Sequence, residues 1–258
     1  MKPYNPNEPM IFIHIPKAAG QSTRELFRHW FLGGTLLEHY FDEPTGTPPI
    51  KHDLIARHTR EQPIAVYGHF NRLRGFGVED DYPYVTQFIT ILRDPFELGI
   101  SSYHFIKKTG ESWKDQSRVP KSGLYDYLMC TPPNMLNHFP RAVTHHNFRD
   151  LIEEFFIDIG IVERLSESLQ RIATKLSMPF DPQTVPHRNA TTRDQAIPPS
   201  LREEYVNRYP LEFEVYEYVR SRFDLVTNEC AVQQAILRDA AIFREHPLTR
   251  ALDNPIEP

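Results

Sequence analysis

The sequence is poor in cysteine, has no long hydrophobic run and carries no excess of positive charge. Its two cysteines among 258 residues, Cys130 and Cys230, stand far apart and in no spacing typical of metal ligands. We expect free thiols in a reducing compartment and no disulfide framework. No stretch approaches the roughly 18 apolar residues of a membrane helix, so no membrane span is expected.

The charge balance and the first residues narrow the class of protein further. A net charge of −5 gives no support for a nucleic-acid partner, because proteins that bind nucleic acids are usually basic. The opening residues, MKPYNPNEP, are polar and proline-rich and lack the apolar stretch of a signal peptide. Hydrophobic residues make up 40% of the chain, which is ordinary for a globular protein. We therefore expect a cytoplasmic protein.

Short apolar runs alternate with amphipathic stretches along the chain. The runs are rich in β-branched residues, as buried strands are, and the stretches have apolar residues at helical spacing. This alternation predicts an α/β fold in three layers, with a central, mostly parallel sheet flanked by helices. The predicted strands cover residues 10–15, 64–67, 86–92 and 156–162, and the predicted helices cover 22–32, 163–176, 199–205, 211–223 and 231–243, with one more beginning at 95.

The length fits one large domain. We predict a single domain over residues 1–258, with its core at about 10–223 and a C-terminal helical tail over 224–258. The segment 109–149 is proline- and histidine-rich and poorly periodic. This pattern is equally consistent with a substrate-binding insertion and with a surface loop that has no role in binding.

A loop suited to an anion follows the first predicted strand. Ligands of parallel α/β sheets bind at the carboxyl ends of the strands, and this end carries PKAAGQST at positions 16–23. Lys17 supplies a cation, and the N-terminus of the following helix also favours an anion. The alternative is an ordinary strand–helix turn with a solvated lysine. The candidate binding residues are Lys17, Ala18, Ala19, Gly20, Gln21, Ser22 and Thr23.

This loop departs from the P-loop of nucleoside triphosphate enzymes, G-x-x-x-x-G-K-[ST]. Gly20 and Ser22 match that pattern, whereas Ile15 replaces its first glycine and Gln21 replaces its lysine. The cation has moved to Lys17, inside the loop. A loop of the P-loop type without its lysine is a poor candidate for a kinase.

A second anion site is predicted at the end of the third strand. Arg93 ends that strand, and Ser101 lies eight residues later on a helix that Asp94 caps, with Glu97 expected to complete a capping box. Arginine offers a planar fork to a phosphate, and serine adds a donor. Taken alone, an arginine at a strand end and a solvent-facing serine explain the pattern equally well.

Together the two motifs resemble those of sulfotransferases. HIPKAAGQST, at 14–23, resembles the 5′-phosphosulfate loop of the branch that includes the heparan sulfate 2-O-sulfotransferases and bacterial relatives. ILRDPFELGISSYHF, at 91–105, resembles the family's 3′-phosphate motif, in which Arg93 and Ser101 match the arginine and the serine. The resemblance implies a P-loop-type fold and 3′-phosphoadenosine 5′-phosphosulfate (PAPS) as the sulfuryl donor, without a metal.

The resemblance extends from about residue 10 to residue 223. IGIVERLSESLQRIATKLSM resembles the family's strand and helix near the C-terminal third, and LEFEVYEYV resembles its closing helix. PHRNATTRD resembles a loop that passes near the cofactor, which makes Arg188, Asn189 and Arg193 candidate cofactor-binding residues. At Leu136 and His138 the chain departs from its relatives, which more often have a glutamine and an arginine there. The acceptor is therefore not carried over from them.

One of twelve histidines stands out as a candidate catalytic base. His69 follows a predicted strand end at Tyr67-Gly68, where the glycine permits close packing. This Gly-His element also resembles the site of the catalytic histidine in the 2-O-sulfotransferase branch. The alternative is a structural histidine in a loop. His14, within the first strand, is expected to be structural, and His104 is a reserve candidate.

The predicted reaction is sulfuryl transfer from PAPS to a hydroxyl of a glycan, a lipid, a small metabolite or a protein. Lys17 and His69 are the predicted catalytic residues. The net charge mildly disfavours a highly sulfated acceptor. Two alternatives stay open: a phosphotransferase that uses ATP, and a non-catalytic nucleotide- or glycan-binding module on the same fold.

Overall fold

The computed structural model describes residues 1–184 and 197–222. Its centre is a sheet of five strands in the order β2-β3-β1-β4-β5, and every neighbouring pair is parallel. The strands are β1 Met10–Ile13, β2 Leu36–His39, β3 Ala65–Gly68, β4 Phe88–Leu92 and β5 Phe156–Ile161. The predicted α/β fold with a parallel central sheet is confirmed.

Strand β2 is the one element of the sheet that the sequence pattern did not predict. It occupies one edge of the sheet and, among the described strands, pairs with β3 alone. Its sequence, LLEH, combines an exposed glutamate with a buried histidine, so it lacks the apolar run that marked the other four strands. An edge strand needs less apolar sequence because one side of it is not enclosed by the sheet.

Helices and turns connect the strands. The helix bounds are α1 Gly20–Trp30, α2 Leu54–Arg57, α3 Val78–Asp81, α4 Pro95–Thr109, α5 Leu124–Cys130, α6 Phe148–Phe155, α7 Leu165–Leu176 and α8 Pro199–Arg208. Residues 210–222 are also helical. The segment 109–149, predicted to be poorly periodic, contains α5 and several short 3₁₀ turns. The helix predicted over 231–243 lies outside the described residues.

The start of α4 confirms one expected cap and corrects another. The carboxylate of Asp94 accepts hydrogen bonds from the N–H groups of Phe96 and Glu97, as an N-cap does. The predicted return bond from Glu97 is replaced, because the N–H of Asp94 donates to the carboxylate of Glu163 at 3.0 Å. Arg202 forms a two-pronged ion pair with Asp94, which ties α8 to this corner.

The core lies on both faces of the sheet. On one face, Phe12 of β1 stacks on Tyr67 of β3, and Phe27 of α1 packs edge-on against them. Apolar residues of α7 join the same cluster. On the other face, Phe88 of β4 contacts Phe155 of α6 at 6.2 Å between ring centroids. Helices therefore cover the sheet on two sides, in three layers.

The chain divides into two compact units, Met1–Tyr216 and Glu217–Pro258. The second lies almost entirely beyond the described residues, and the single domain with a tail over 224–258 stays a prediction. Cys130 is exposed and not in a disulfide. Within the described part of the chain, no helix has both the length and the apolar character to cross a bilayer.

Candidate active site

The two predicted motifs and the candidate base lie at one edge of the sheet. Strand β1 lies between β3 and β4 in the sheet, and all three run parallel. Because parallel strands end at the same edge, the loop after β1, His69 after β3 and Arg93 after β4 come together there. The sequence could show that each residue follows a strand, but it could not show that these three strands are neighbours.

The loop after β1 holds two residues in the left-handed region of backbone space. Lys17 has a φ of 69° and Ala19 a φ of 58°. Each such conformation costs an L-residue with a side chain roughly 1–2 kcal/mol. Ala18 is buried, and its N–H donates to the carbonyl of Ile15 at 3.1 Å to close the turn. Backbone strain of this kind is common at binding sites, where the surroundings hold it in place.

Gly20 is required by a side chain of the protein itself. A Cβ on Gly20 would lie 1.6 Å from Nε2 of His14, whose ring packs directly on the start of α1. The Tyr67 hydroxyl donates to the Gly20 carbonyl at 2.8 Å and holds the backbone of the same glycine in place. His14 therefore approaches this glycine closely, within the fold.

His14 has the structural role predicted for it. Its Nδ1 shares a hydrogen bond of 3.0 Å with the Tyr40 hydroxyl, while its Nε2 edge faces Gly20. Burial lowers the pKa of His14 to about 3, and the charges of His138, Arg24 and Lys17 act in the same direction. The neutral ring thus fixes the position of the loop after β1.

Three cationic side chains, those of Lys17, Arg93 and Lys108, lie at the loop after β1. The guanidinium of Arg93 donates to the backbone carbonyl of Lys17 at 3.1 Å, which joins the two motifs directly. Partial burial lowers the pKa of Lys17, as do the positive charges of Arg93 and Lys108. The carboxylate of Glu97 lies 3.8 Å from Arg93 and offsets part of this charge. An anion bound here would relieve the repulsion among the cations.

The ammonium of Lys17 rests on an aromatic ring. Its Nζ lies 4.2 Å from the centroid of Phe105, a cation–π contact. Phe105 and Ser101 stand on α4 at intervals of four residues from Glu97, so the three share one face of the helix. Ser101 is buried on this face, and Phe105 and Lys108 are exposed.

The first turn of α1 is suited to an anion, although not every predicted donor points outward. Ala19 is the N-cap and makes no side-chain capping bond, and the first turn holds no acidic residue. Thr23 is fully buried, and its hydroxyl donates to the Ala19 carbonyl at 3.0 Å. Gln21 is exposed, whereas Ser22 is almost completely buried.

His69 lies in a cluster of rings next to the loop. Its ring centroid is 4.5 Å from that of His14, 4.7 Å from Tyr40 and 6.4 Å from His138. Its Nε2 is buried without a hydrogen-bond partner among the described residues. Burial holds the pKa of His69 well below 6.5, and positive charge on His14, His138 and Arg74 would lower it further. His69 is thus neutral at neutral pH, which is the form a general base requires.

The backbone of His69 is held by a second histidine. The N–H of His69 donates to the carbonyl of His39 at 2.8 Å, and Nδ1 of His39 donates to the carbonyl of His69 at 3.0 Å. Nε2 of His39 donates to the carboxylate of Asp81. A Cβ on Gly68 would lie 1.9 Å from the His39 carbonyl, so the glycine before His69 permits this pairing.

Sequence reasoning missed three members of the site. Lys108 and Phe105 belong to the α4 face next to Lys17, and their helical spacing from Ser101 could have marked them. His138, on a 3₁₀ turn spanning Leu136–His138, had no signal except that it departs from its relatives. His104, the reserve base, is exposed on α4 beside Tyr103.

Other predictions lie beyond what the structure describes. Arg188, Asn189 and Arg193 fall between the described ranges 1–184 and 197–222.

Within those ranges, no group of three or more histidine, cysteine, aspartate or glutamate side chains is placed to hold a metal ion.

Comparison with known proteins gives likenesses to solved structures. No protein-family model and no curated protein matches the sequence. Among solved structures, the chain is similar to the mouse sulfotransferase SULT7A1 complexed with PAP, with a TM-score of 0.49 and 12% sequence identity. The similarity covers 84% of this chain and 90% of the mouse chain.

Proposed function

We propose that this protein transfers a sulfuryl group from PAPS to a hydroxyl of an acceptor. The observation that carries the proposal is the hydrogen bond from Arg93 to the Lys17 carbonyl, 3.1 Å long. It brings together the cations of the two motifs that resemble the 5′-phosphosulfate and 3′-phosphate sites. A ligand with two separate anionic groups is the chemistry that such a pair of cations fits.

On the donor side, the residues of the chain bind and neutralise charge. The loop after β1 and the first turn of α1 receive the 5′-phosphosulfate, and Arg93 with Ser101 receives the 3′-phosphate. Lys17 neutralises the charge that grows on the oxygen leaving with the 5′-phosphate. Its ammonium already lies beside the loop, on the ring of Phe105.

On the acceptor side, His69 takes the proton. The acceptor oxygen forms a bond to sulfur as the bond from sulfur to the 5′-phosphate oxygen breaks, and the acceptor proton passes to the neutral imidazole. The unpartnered Nε2 is the atom available for it. The ring of His14 packs against His69 and against the start of α1, and so it holds the base next to the donor site.

Two alternatives predict different ligands. An ATP-dependent phosphotransferase would require magnesium, and the loop has Gln21 where that class has its lysine. A binding module without activity would retain nucleotide affinity but form no product. Its sequence would need neither a cation in the loop nor a base at His69.

A ligand screen followed by a transfer assay tests the proposal. We expect adenosine 3′,5′-bisphosphate (PAP) to raise the melting temperature more than AMP, ATP with magnesium, or NAD does. Labelled PAPS should then transfer sulfate to at least one member of a panel of glycans, lipids, small alcohols and peptides. Stabilisation by ATP with magnesium, but not by PAP, would support the phosphotransferase instead, and PAP binding without transfer to any acceptor would support the module.

A further inference from the structure

Two histidine nitrogens near the proposed acceptor side are buried and unpaired. They are Nε2 of His69 and Nδ1 of His138, and neither has a hydrogen-bond partner among the described residues. The two rings lie 6.4 Å apart between centroids, at an angle of 73°. Burying a polar atom without a partner is costly, so two such atoms on neighbouring rings call for a ligand that pairs them.

His138 is buried and neutral. Its side chain is only 5% exposed, and it forms a hydrogen bond with the backbone of Phe70, the residue after His69. Burial is the main cause that lowers the pKa of His138 to about 4, so the ring is neutral. A neutral imidazole has one nitrogen that accepts a hydrogen bond, and we assign that role to the unpartnered Nδ1.

Several titratable side chains around these two rings already have partners. Nδ1 of His14 is bonded to Tyr40, and His39 is bonded to the His69 carbonyl and to Asp81. The guanidinium of Arg74 pairs with the carboxylate of Glu43. None of these is needed to satisfy the nitrogens of His69 and His138.

We infer that Nε2 of His69 and Nδ1 of His138 form one subsite for an acceptor that presents two adjacent hydrogen-bond donors, as a vicinal diol or a 1,2-amino alcohol does. The inference rests on the proposed function. The reacting hydroxyl gives its proton to His69, while the neighbouring hydroxyl or amine donates a hydrogen bond to His138 and keeps its proton. His138 is thus a residue that determines specificity and positions the acceptor, rather than a second base.

This subsite should discriminate by hydrogen bonding. An acceptor with a single hydroxyl would leave Nδ1 of His138 buried and unpaired. Sites built to bind a hydroxyl reject analogues that lack it for this reason. We expect kcat/KM for a diol to exceed that for the matched mono-alcohol by about 10- to 100-fold, the factor that one unpaired buried acceptor costs.

The test compares cis-1,2-cyclohexanediol with cyclohexanol, and catechol with phenol, as acceptors for labelled PAPS. His138→Phe keeps a ring but removes the acceptor nitrogen, so the diol should lose its advantage over the mono-alcohol, mainly through KM. His138→Asn keeps an amide oxygen near the position of Nδ1 and should restore part of the preference. PAP binding should be unchanged in both variants, which also shows that they fold.

A second readout does not depend on turnover or on the variants. In the wild-type protein saturated with PAP and labelled with ¹⁵N-histidine, the diol should shift the imidazole nitrogen resonances of both His69 and His138. Cyclohexanol should shift that of His69 alone. Equal kcat/KM for the diol and the mono-alcohol would overturn the inference, as would a PAP-bound protein in which no diol reacts or shifts His138. A failure to bind PAP would instead contradict the proposed function itself.

Discussion

The candidate site has two halves at one edge of the sheet: a cationic half at the loop after β1, on the donor side, and a neutral half of histidine rings, on the acceptor side. Around the loop after β1, Lys17, Arg93 and Lys108 hold positive charge close together, partly open to solvent. A few ångströms away, burial keeps the rings of His14, His69 and His138 neutral. Binding the anionic donor thus requires permanent positive charge, whereas taking a proton from the acceptor requires a base that is not already protonated.

Replacing His69, the proposed base, should lower the catalytic rate more than any other change. Positioned general bases contribute about 10²–10⁴ in rate, so His69→Ala should lose a factor of that size in kcat. PAP binding should stay nearly intact, because His69 belongs to the acceptor side. The wild-type rate should fall only at pH values well below 6.5, where His69 becomes protonated, and this acid limb should vanish in the variant.

The exposed histidine of α4 is the matched control for this prediction. His104→Ala should keep both the wild-type rate and the acid limb. Circular dichroism must show that His69→Ala is folded, because the backbone of His69 is also bonded to His39. A folded His69→Ala protein with near-normal turnover would remove the residue from the mechanism and leave the cationic half untouched.

Removing the loop lysine should have the next largest effect, and mainly in the transition state. Lys17→Ala should lower kcat by about 10²–10³, the range for one preorganised donor that stabilises developing charge. Affinity for PAP should fall less. Lys108→Ala, which removes a nearby exposed cation of α4, should change kcat far less. If Lys17→Ala raised KM without lowering kcat, the lysine would be only a binding residue.

Filling the space between the two halves should destabilise the protein moderately. In Gly20→Ala the new Cβ would meet the His14 ring at 1.6 Å, so we expect a loss of about 1–3 kcal/mol of unfolding free energy, together with weaker PAP binding. Gly123→Ala, where no atom lies within 4 Å of the added Cβ, is the matched control in urea denaturation. Adding His14→Ala to Gly20→Ala should recover part of the loss, and a neutral Gly20→Ala would contradict the described contact.

The neutral half should also make stability depend on pH. The folded-state pKa values of His14, His69 and His138 lie below 6.5, so the unfolded chain binds protons that the folded protein does not. Their contribution is complete above pH 6.5 and is lost as the pH falls toward 4 and then 3, by about 1.4 kcal/mol per unit of pKa depression for each group.

Buried Glu212 should act in the opposite direction. Burial raises its pKa to about 8, so its contribution is complete below pH 4.5 and is lost as the pH rises toward 8. Urea midpoints measured from pH 4 to 8 should therefore rise up to about pH 6.5 and flatten or fall above it. In His138→Phe the rise should be smaller, and an unchanged slope in that variant would contradict the assigned burial.

Sequence reasoning reached the donor half more fully than the acceptor half. Lys17 and Arg93 each follow a strand that its β-branched run made visible, and Asp94 was a recognisable cap. The capping-box prediction for Glu97 failed because Glu163, distant in sequence, bonds the N–H of Asp94 instead. Short-range patterns carry no information about such partners.

The same limit explains what was missed in the histidine cluster. His138 reaches His69 from a 3₁₀ turn with no periodicity, through a bond to the Phe70 backbone. Tyr40 follows an edge strand, β2, whose mixed sequence hid it. Gly20 matched a glycine of the P-loop pattern, but the sequence could not show that the His14 ring packs against it. Tertiary contacts, not local propensity, assemble this half.

A calorimetric titration of PAP and of AMP into the wild-type protein and into Arg93→Ala tests most directly whether this site binds PAP. If Arg93 holds the 3′-phosphate, the variant should lose about 2–5 kcal/mol of binding free energy for PAP, the usual cost of removing one partner from a desolvated charge pair. AMP, which lacks the 3′-phosphate, should lose little. Equal losses for the two nucleotides, or no binding of PAP to the wild-type protein, would contradict the central claim.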